Sequence, residues 1–268
     1  RDAQESRGLG DVYKRQMLLA ALITGIWILF YNRHLFYVHR RDFWLFIGSG
    51  MIGMTALSVF YNISVTKGSL ALSAVLLAMS PVFVLFLAAI FFHEPITRHK
   101  LTCVTLALIG CVLVSGVLES NGLSWSITGI LCGILASFFY AVYGIISKKV
   151  TQKGYHFLTI TFYGTLFSGM TMLPFSNIHS LSSMIVSGQR TTFFILIIHA
   201  LVSSVLPYAL YSLSMRYMEA GKASILASSE PAAAMLFGAV LYAETPGILS
   251  ICGPVSYTHL TLPTKLEV

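Results

Sequence analysis

Residues 222–244 read KASILASSEPAAAMLFGAVLYAE, a run of apolar and small residues that one acid and one proline interrupt near its middle. An ionised carboxylate in hydrocarbon costs about 3 kcal/mol, and a proline removes a backbone donor from a helix. Glu230 and Pro231 therefore combine two local penalties at one point. We expect a functional role for this pair, because apolar segments otherwise avoid such residues.

The composition of the whole chain is that of a membrane protein. Of its 268 residues, 56% are hydrophobic and 10% are charged, and the mean hydropathy is +0.79. A helix needs about 20 apolar residues to cross the bilayer. The runs that approach or exceed this length are 43–65, 69–92, 101–118, 126–147, 157–175, 192–215 and 221–242. Two shorter runs, 17–31 and 247–253, look like incomplete spans.

The two ends differ from the apolar sequence between them. Residues 1–16 are polar up to Met17, and residues 254–268 have neither helical periodicity nor enough apolar length to complete a span. Both resemble translated adapter or vector sequence, and no small-residue cleavage site suggests a signal peptide. We interpret both ends as non-native tails and expect native sequence to be missing there.

Basic residues alternate between rich and poor connections along the chain. The rich connections carry Arg33, Arg40 and Arg41; Arg98 and Lys100; Lys148, Lys149 and Lys153; and Arg216 and Lys222. The intervening connections have only Lys67 and Arg190. The positive-inside rule places the rich set in the cytoplasm, so span 17–31 begins outside. The net charge of +7 therefore reflects topology and does not indicate a nucleic-acid partner.

The sequence contains an internal repeat. Residues 61–94 align with 211–244 without gaps, at an offset of 150 positions. The matched pairs include Tyr61 with Tyr211, Ser64 with Ser214, Pro81 with Pro231 and Glu94 with Glu244. Shared composition explains the matched Leu and Ala residues, but the prolines and acids are harder to attribute to it. Because five spans separate the copies, we predict that the second is inverted in the membrane.

Two stretches carry a resemblance to a known family. SPVFVLFLAAIFFHEPITRHKLTCVTLALIGCVLVSG (80–116) and LPYALYSLSMRYMEAGKASILASSEPAAAMLFGAVLYAETP (206–246) resemble the two EamA repeats of the drug/metabolite transporter superfamily. The resemblance implies an all-α polytopic membrane protein with ten helices in two inverted five-helix halves and both termini cytoplasmic. On that map, 17–119 is the first repeat without its first helix, and 120–253 is the second with a truncated last helix. About eight to nine helices would then be present.

Glu230 is the most central acid of the chain. It lies about 14 Å along its helix from Gly221, close to the bilayer midplane. The small residues on its face are Ala223, Ala227, Ala234 and Gly238. Its carboxyl could couple transport to protons or hold a cationic group of the substrate, or it could be a permanently protonated group that bonds a neighbouring helix. The counterpart in the first copy, Ser80, is uncharged, which favours a functional role.

Other polar groups and prolines complete the predicted binding or proton-coupling set. Its members are Glu230, Ser229, Tyr208, Tyr211, Ser204, Tyr61, Asn62, Ser80 and Tyr140, with helix breaks at Pro81, Pro207 and Pro231. For the tyrosines, packing or an interfacial belt is an equal alternative, and for Asn62 a helix cap is. Helix termination before Pro95 is a sufficient explanation for Glu94.

The sequence favours a secondary transporter in the bacterial inner (plasma) membrane. It would move a small amino-acid-like or drug-like metabolite by alternating access, with proton-coupled efflux, and would not be an enzyme. The alternative is a membrane-embedded lipid-modifying enzyme, which would need clustered Asp, His or Lys at a membrane face. The nearest such group is HRRD at 39–42, which is better explained as a loop that sets topology.

The expected partners are a small-molecule substrate, protons as the coupling ion and the lipid bilayer. No cofactor or metal is implied, since Cys103, Cys111, Cys132 and Cys252 lack ligand spacing. The oligomeric state stays open, a homodimer being one option.

Overall fold

The part of the chain that the structure describes is helical. The computed structural model describes residues 2–114, 126–173, 190–230 and 233, and it places no β-strand in these ranges. In chain order the α-helices are α1 (Asp2–Tyr31), α2 (Phe43–Ile47), α3 (Leu57–Lys67), α4 (Leu70–Leu77), α5 (Ser80–Phe92), α6 (Arg98–Val114), α7 (Ile127–Gln152), α8 (Phe157–Met172), α9 (Arg190–Ala200), α10 (Leu206–Tyr217) and α11 (Ala220–Ala227). A 3₁₀ turn (Arg33–Phe36) follows α1.

Several helices join into spans of membrane length. The helical stretches that are long and apolar enough to cross a bilayer are Phe43–Lys67, Leu72–Phe92, Ile127–Gln152 and Phe194–Tyr217, and Gln16–Tyr31 is a shorter apolar helix. The four long stretches coincide with predicted spans 43–65, 69–92, 126–147 and 192–215. Together with the helical backbone, they confirm the predicted all-α, multi-pass membrane fold.

The remaining predicted spans coincide with described helices only in part. Spans 101–118 and 157–175 fall on α6 and α8, which have 17 and 16 residues. Span 221–242 begins on α11, while its later part and run 247–253 lie outside the described residues. At the other end, α1 extends back through residues 2–16, the predicted tail.

The backbone forms two compact units. The first unit contains residues 1–62 and 142–217, and the second contains residues 63–141 and 218–268. Each unit therefore contains residues of both predicted repeats. The boundary between the units falls within α3 and within α7.

The helix boundaries recur at the interval of the sequence repeat. α4 and α11 each have eight residues, and their first residues are 150 positions apart. The preceding helices, α3 and α10, also end 150 positions apart. A two-residue turn follows each short helix, and the backbone becomes helical again at Ser80 in the first copy and at Glu230 in the second. The internal repeat is thus present in the local backbone as well as in the sequence.

A widened helical turn recurs at the same interval. Gly48–Ala56 and Leu201–Val205 are π-helical, and the second segment corresponds to residues 51–55 of the first. In the first, the Thr55 hydroxyl donates to the Gly50 carbonyl five residues earlier, at 3.0 Å. In the second, Pro207 lies two residues after the segment and lacks the N–H that would continue a regular helix. Such segments often mark functional regions of a helix.

In the first unit a polar contact joins the connection before α2 to the connection after α7. The Asp42 carboxylate pairs with the Lys153 ammonium and accepts a hydrogen bond from the Tyr155 hydroxyl at 2.9 Å. The Tyr155 oxygen in turn accepts from the backbone N–H of His39 at 3.2 Å. The hydrogen bonds from Lys153 and Tyr155 hold the pKa of Asp42 below its usual range. Asp42 therefore stays ionised at neutral pH and holds the start of α2 close to the end of α7.

We expect acidification to weaken this contact. The pKa of Asp42 is lower in the folded chain than in the unfolded chain. Its contribution to the free energy of unfolding is therefore fully present above the ordinary carboxyl pKa of about 4. That contribution is lost as the pH falls through the lower folded-state value. Asp42→Asn lacks it, so the Tm difference between wild type and variant in detergent should be largest near neutral pH and disappear in strong acid. An unchanged difference in acid would assign the effect to packing.

Candidate functional site

Glu230 stands where the second copy changes from one helix to the next. α11 ends at Ala227, and the turn at Ser228 and Ser229 uses its own hydroxyls. Ser228 donates to the Ser224 carbonyl at 3.0 Å, and Ser229 donates to the Leu226 carbonyl at 2.7 Å. These bonds occupy carbonyls at the end of α11 and fix the turn before Glu230.

The Glu230 side chain is exposed, whereas its counterpart Ser80 is buried. Cys111 on α6 is buried and contacts the Ala74 carbonyl of α4, at 4.0 Å. Pro231, Ala234 and Gly238 lie outside the described residues. The two copies thus share a helix break but differ in charge and exposure at the residue after it.

The corresponding turn in the first copy is held by another helix. Its carbonyl at Leu76 accepts a hydrogen bond from the Ser137 hydroxyl of α7. The equivalent carbonyl in the second copy, that of Leu226, accepts from Ser229 of its own turn. In α5, Pro81 lies in the first turn, where a missing N–H costs little. The first-copy turn is therefore tied to α7 through Ser137, while the second-copy turn is held from within its own chain segment.

The second candidate site is a cluster of tyrosines in the first unit. Tyr143 of α7 is fully buried and stacks on Tyr211 of α10, with ring centroids 6.1 Å apart and planes at 22°. Tyr208 meets the same ring edge-on at 5.4 Å. The Tyr143 hydroxyl and Ser212 Oγ are hydrogen-bonded at 3.3 Å. This tyrosine cluster (Tyr143, Tyr208, Tyr211 and Ser212) joins flat apolar rings to hydroxyl groups in one place.

A row of hydroxyl and amide contacts lies elsewhere in the first unit. Ser204 is buried and accepts from the Gln16 side-chain amide at 2.8 Å. The hydroxyl oxygens of Thr55 and Ser168 are hydrogen-bonded to each other at 3.0 Å. Gln16 falls in the predicted tail, yet α1 brings it against the π-helical segment Leu201–Val205.

The predicted site residues divide between the two units. The first unit holds Tyr61, Asn62, Ser204, Tyr208 and Tyr211, and the second holds Ser80, Tyr140, Ser229 and Glu230. Tyr208 and Tyr211 are brought together around Tyr143. Tyr61, Asn62 and Tyr140 are half-buried.

Tyr143 and Gly144 are part of this arrangement but are not among the predicted site residues. A Cβ atom added to Gly144 would lie 2.7 Å from the Tyr211 hydroxyl oxygen, so only glycine lets that oxygen approach. Tyr143 and Ser147 are four residues apart and so lie on one face of α7, and this spacing could have indicated a polar face there. Both side chains are fully buried.

We expect Gly144→Ala to disrupt the tyrosine cluster. The new methyl group forces the Tyr211 hydroxyl to move, at a cost of about 1–3 kcal/mol, typical of overpacking. The Tm in detergent should fall accordingly.

Tyr211→Phe in the Gly144→Ala background is the matched control for this prediction. It removes the clashing oxygen and leaves the Tyr211 Cζ position 3.5 Å from the new Cβ, an ordinary contact. The double variant should recover most of the lost stability. A double variant no more stable than Gly144→Ala would contradict this explanation.

Comparisons with known proteins agree with the fold. The sequence profile of the EamA-like transporter family matches residues 15–116 and 127–256. An "Uncharacterized transporter" of Archaeoglobus fulgidus is 26% identical over 206 residues, 76% of this chain and 71% of the relative. A "Probable amino-acid metabolite efflux pump" of Salmonella typhimurium is 26% identical over 69% of this chain and 63% of the relative. The chain thus spans about two thirds of the length of these relatives.

A protein of known crystal structure has the same fold. It superposes with a TM-score of 0.76 at 13% sequence identity, over 99% of this chain and 93% of the other. The family profile matches both halves of the chain and so confirms the resemblance seen in the sequence. The chain belongs to the EamA-like transporter family.

Proposed function

We propose that the protein is a secondary-active transporter that exports a small, amino-acid-like metabolite in exchange for protons. Family membership supports transport of a small molecule across a lipid bilayer, and the relatives are named as transporters, not as enzymes. The amino-acid-like substrate and the outward direction are supported by the name of the Salmonella typhimurium relative. A bacterial inner membrane is supported by a second relative from that organism, an "Uncharacterized inner membrane transporter YicL".

The observation that carries the proposal is the helix break that occurs twice, with an acid after only one of the breaks. A two-residue turn interrupts the helix before Ser80, and another interrupts it 150 residues later, before Glu230. Discontinuous helices in repeated halves are the usual position of transporter binding sites. If the copies are inverted, rocking one half against the other exposes the site to each side in turn.

Glu230 is the proton carrier in this proposal. Its side chain is exposed, so the carboxyl could exchange a proton with water or with a bound amino group. A proton that enters along the membrane potential releases about 2.3 kcal/mol per 100 mV. Loss of the proton on the cytoplasmic side would restore the charge and complete the cycle. Because Ser80 cannot ionise, the first copy would contribute no second proton.

Tyr208 is the half-buried member of the tyrosine cluster, and it could contact an amino-acid-like molecule. Its ring could bind an apolar or aromatic group and its hydroxyl a polar one, while Tyr143, Tyr211 and Ser212 are buried and would hold it in place. The carboxylate of Glu230 would attract an amino group of the substrate and repel a carboxylate. These features support an amphipathic zwitterion over a multiply charged anion as substrate.

Transport by the full chain in lipid vesicles tests the proposal. The vesicles would be loaded with a mixture of the twenty radiolabelled protein amino acids and a pH-sensitive dye, with the membrane potential clamped. An acidic exterior should accelerate loss of label and acidify the lumen faster than in protein-free vesicles. Label loss that ignores the pH gradient would exclude proton exchange, and no loss of any amino acid would exclude this substrate class.

A further inference from the structure

The end of α5 points a carboxylate at the start of α11. α5 ends at Phe92, and His93 has a left-handed backbone, with φ of 55°. The Glu94 N–H closes this turn by donating to the Ala88 carbonyl at 3.3 Å. This change of direction takes Glu94 away from its own helix. Its role is thus more than the helix termination inferred from the sequence.

Glu94 satisfies the first backbone donors of α11. Its Oε1 accepts from the Ala220 N–H at 3.0 Å, and its Oε2 accepts from the Gly221 N–H at 3.3 Å. The first N–H groups of a helix have no partner within it and carry partial positive charge. A carboxylate on two of them is therefore a charge-assisted contact.

The two copies differ in how this helix start is capped. In the first copy Ser69 caps α4 locally, since its hydroxyl accepts from the Leu72 N–H at 3.1 Å. The corresponding residue in the second copy, Glu219, makes no side-chain cap bond. The start of α11 therefore depends on Glu94, a residue 126 positions away in sequence.

Two further contacts fix the same place. The Lys100 ammonium is buried, bonds the Glu219 carboxylate at 2.7 Å and donates to the Pro95 carbonyl at 2.9 Å. A Cβ atom on Gly221 would lie 2.5 Å from Leu85 Cδ2. Close packing and paired charge thus hold the start of α11 against the end of α5 and the start of α6.

We propose that Glu94 is a positioning residue for transport, whose carboxylate sets the depth and orientation of α11 and thereby of Glu230. α11 ends three residues before Glu230, so a shift at its start is passed along a short rigid helix. The inference rests on the proposed function of Glu230, but the contact itself is measured independently of transport.

The test uses a spin label on α11. Leu226 is exposed and lies near the end of the helix, so Leu226→Cys in a cysteine-free full chain accepts a nitroxide. In lipid vesicles, collision with oxygen and with a nickel chelate reports the depth of the label. Glu94→Gln should change this depth and lower amino-acid transport about tenfold, as expected for loss of a charged hydrogen bond. It should also shift the pH of half-maximal transport, because Glu230 moves.

Matched variants separate positioning from general damage. Glu94→Asp keeps the charge, but its shorter side chain cannot reach both N–H groups, so the label depth and the pH profile should lie between those of wild type and Glu94→Gln. Asp42→Asn removes one carboxylate from the other unit and should leave the label depth unchanged. If Glu94→Gln does not insert, Glu94→Asp decides the question, and a label depth and pH profile equal to those of wild type would overturn the positioning role.

The outcomes also distinguish this inference from the proposed function. An unmoved label and an unshifted pH profile in Glu94→Gln overturn the positioning role, whatever the transport rate. A moved label together with full proton-coupled transport also overturns it. If Glu230→Gln keeps proton-coupled transport while Glu94→Gln moves the label, the contact is real and the proposed function is wrong.

Discussion

Replacing Glu230 by glutamine is expected to reduce proton-coupled export to the level of protein-free vesicles, while the chain still inserts and folds. Glutamine has nearly the same shape but cannot take up or release a proton. The side chain is exposed at the end of a turn whose hydroxyls already have partners, so little packing is lost. Amino-acid efflux and lumenal pH, recorded in the same vesicles, measure the effect.

Two variants serve as controls for this result. Glu230→Asp keeps an acid at the position and should retain part of the coupled flux. Asp42→Asn removes an acid that pairs with Lys153 at the end of the first unit, and it should retain the coupling. Full coupling in Glu230→Gln would remove the carboxyl from the mechanism.

The largest loss of stability is expected from Gly50→Ala. A Cβ atom at this position would lie 2.6 Å from the Gly164 carbonyl oxygen and 3.0 Å from the Ser168 nitrogen, both backbone atoms of α8. Backbone cannot turn aside as a side chain can, so the π-helical segment and α8 must separate. We expect a cost of at least about 3 kcal/mol, the upper range for overpacking. Thermal unfolding in detergent would show it as a large fall in Tm.

Gly48→Ala is the matched control, because it lies in the same π-helical segment. Its added Cβ atom would meet only the end of the Ile146 side chain, at 3.6 Å, an ordinary contact. Its Tm should stay within a few degrees of wild type. Equal losses in the two variants would mean that the segment, and not the contact with α8, is sensitive to alanine.

The spans and the repeat could be predicted from the sequence because they depend on local properties. Apolar length determines a span, and the helix boundaries around 67–80 and 217–230 follow the offset of 150 positions that Pro81 and Pro231 already indicate. Such signals need no knowledge of which helices are neighbours.

Other features depend on which helices meet, and the sequence does not contain that information locally. Glu94 resembles a residue that ends a helix, and its partners are 126 and 127 positions away. Tyr140 and Tyr143 are both tyrosines of α7, and nothing in the local sequence indicates that Tyr143 stacks on Tyr211. The π-helical segment at Gly48–Ala56 has no proline to indicate it and depends on the close contact of Gly50 with α8.

The composition of the two compact units has a consequence for how the chain matures during synthesis. The first unit has all of its segments only when residues 142–217 have been made to join residues 1–62. The second is complete only when residues from 218 onwards have been made to join residues 63–141. Buried hydroxyls such as Ser168 and Thr55 find each other only after more than a hundred further residues have left the ribosome. Neither unit can therefore fold completely until its second segment of chain has been made.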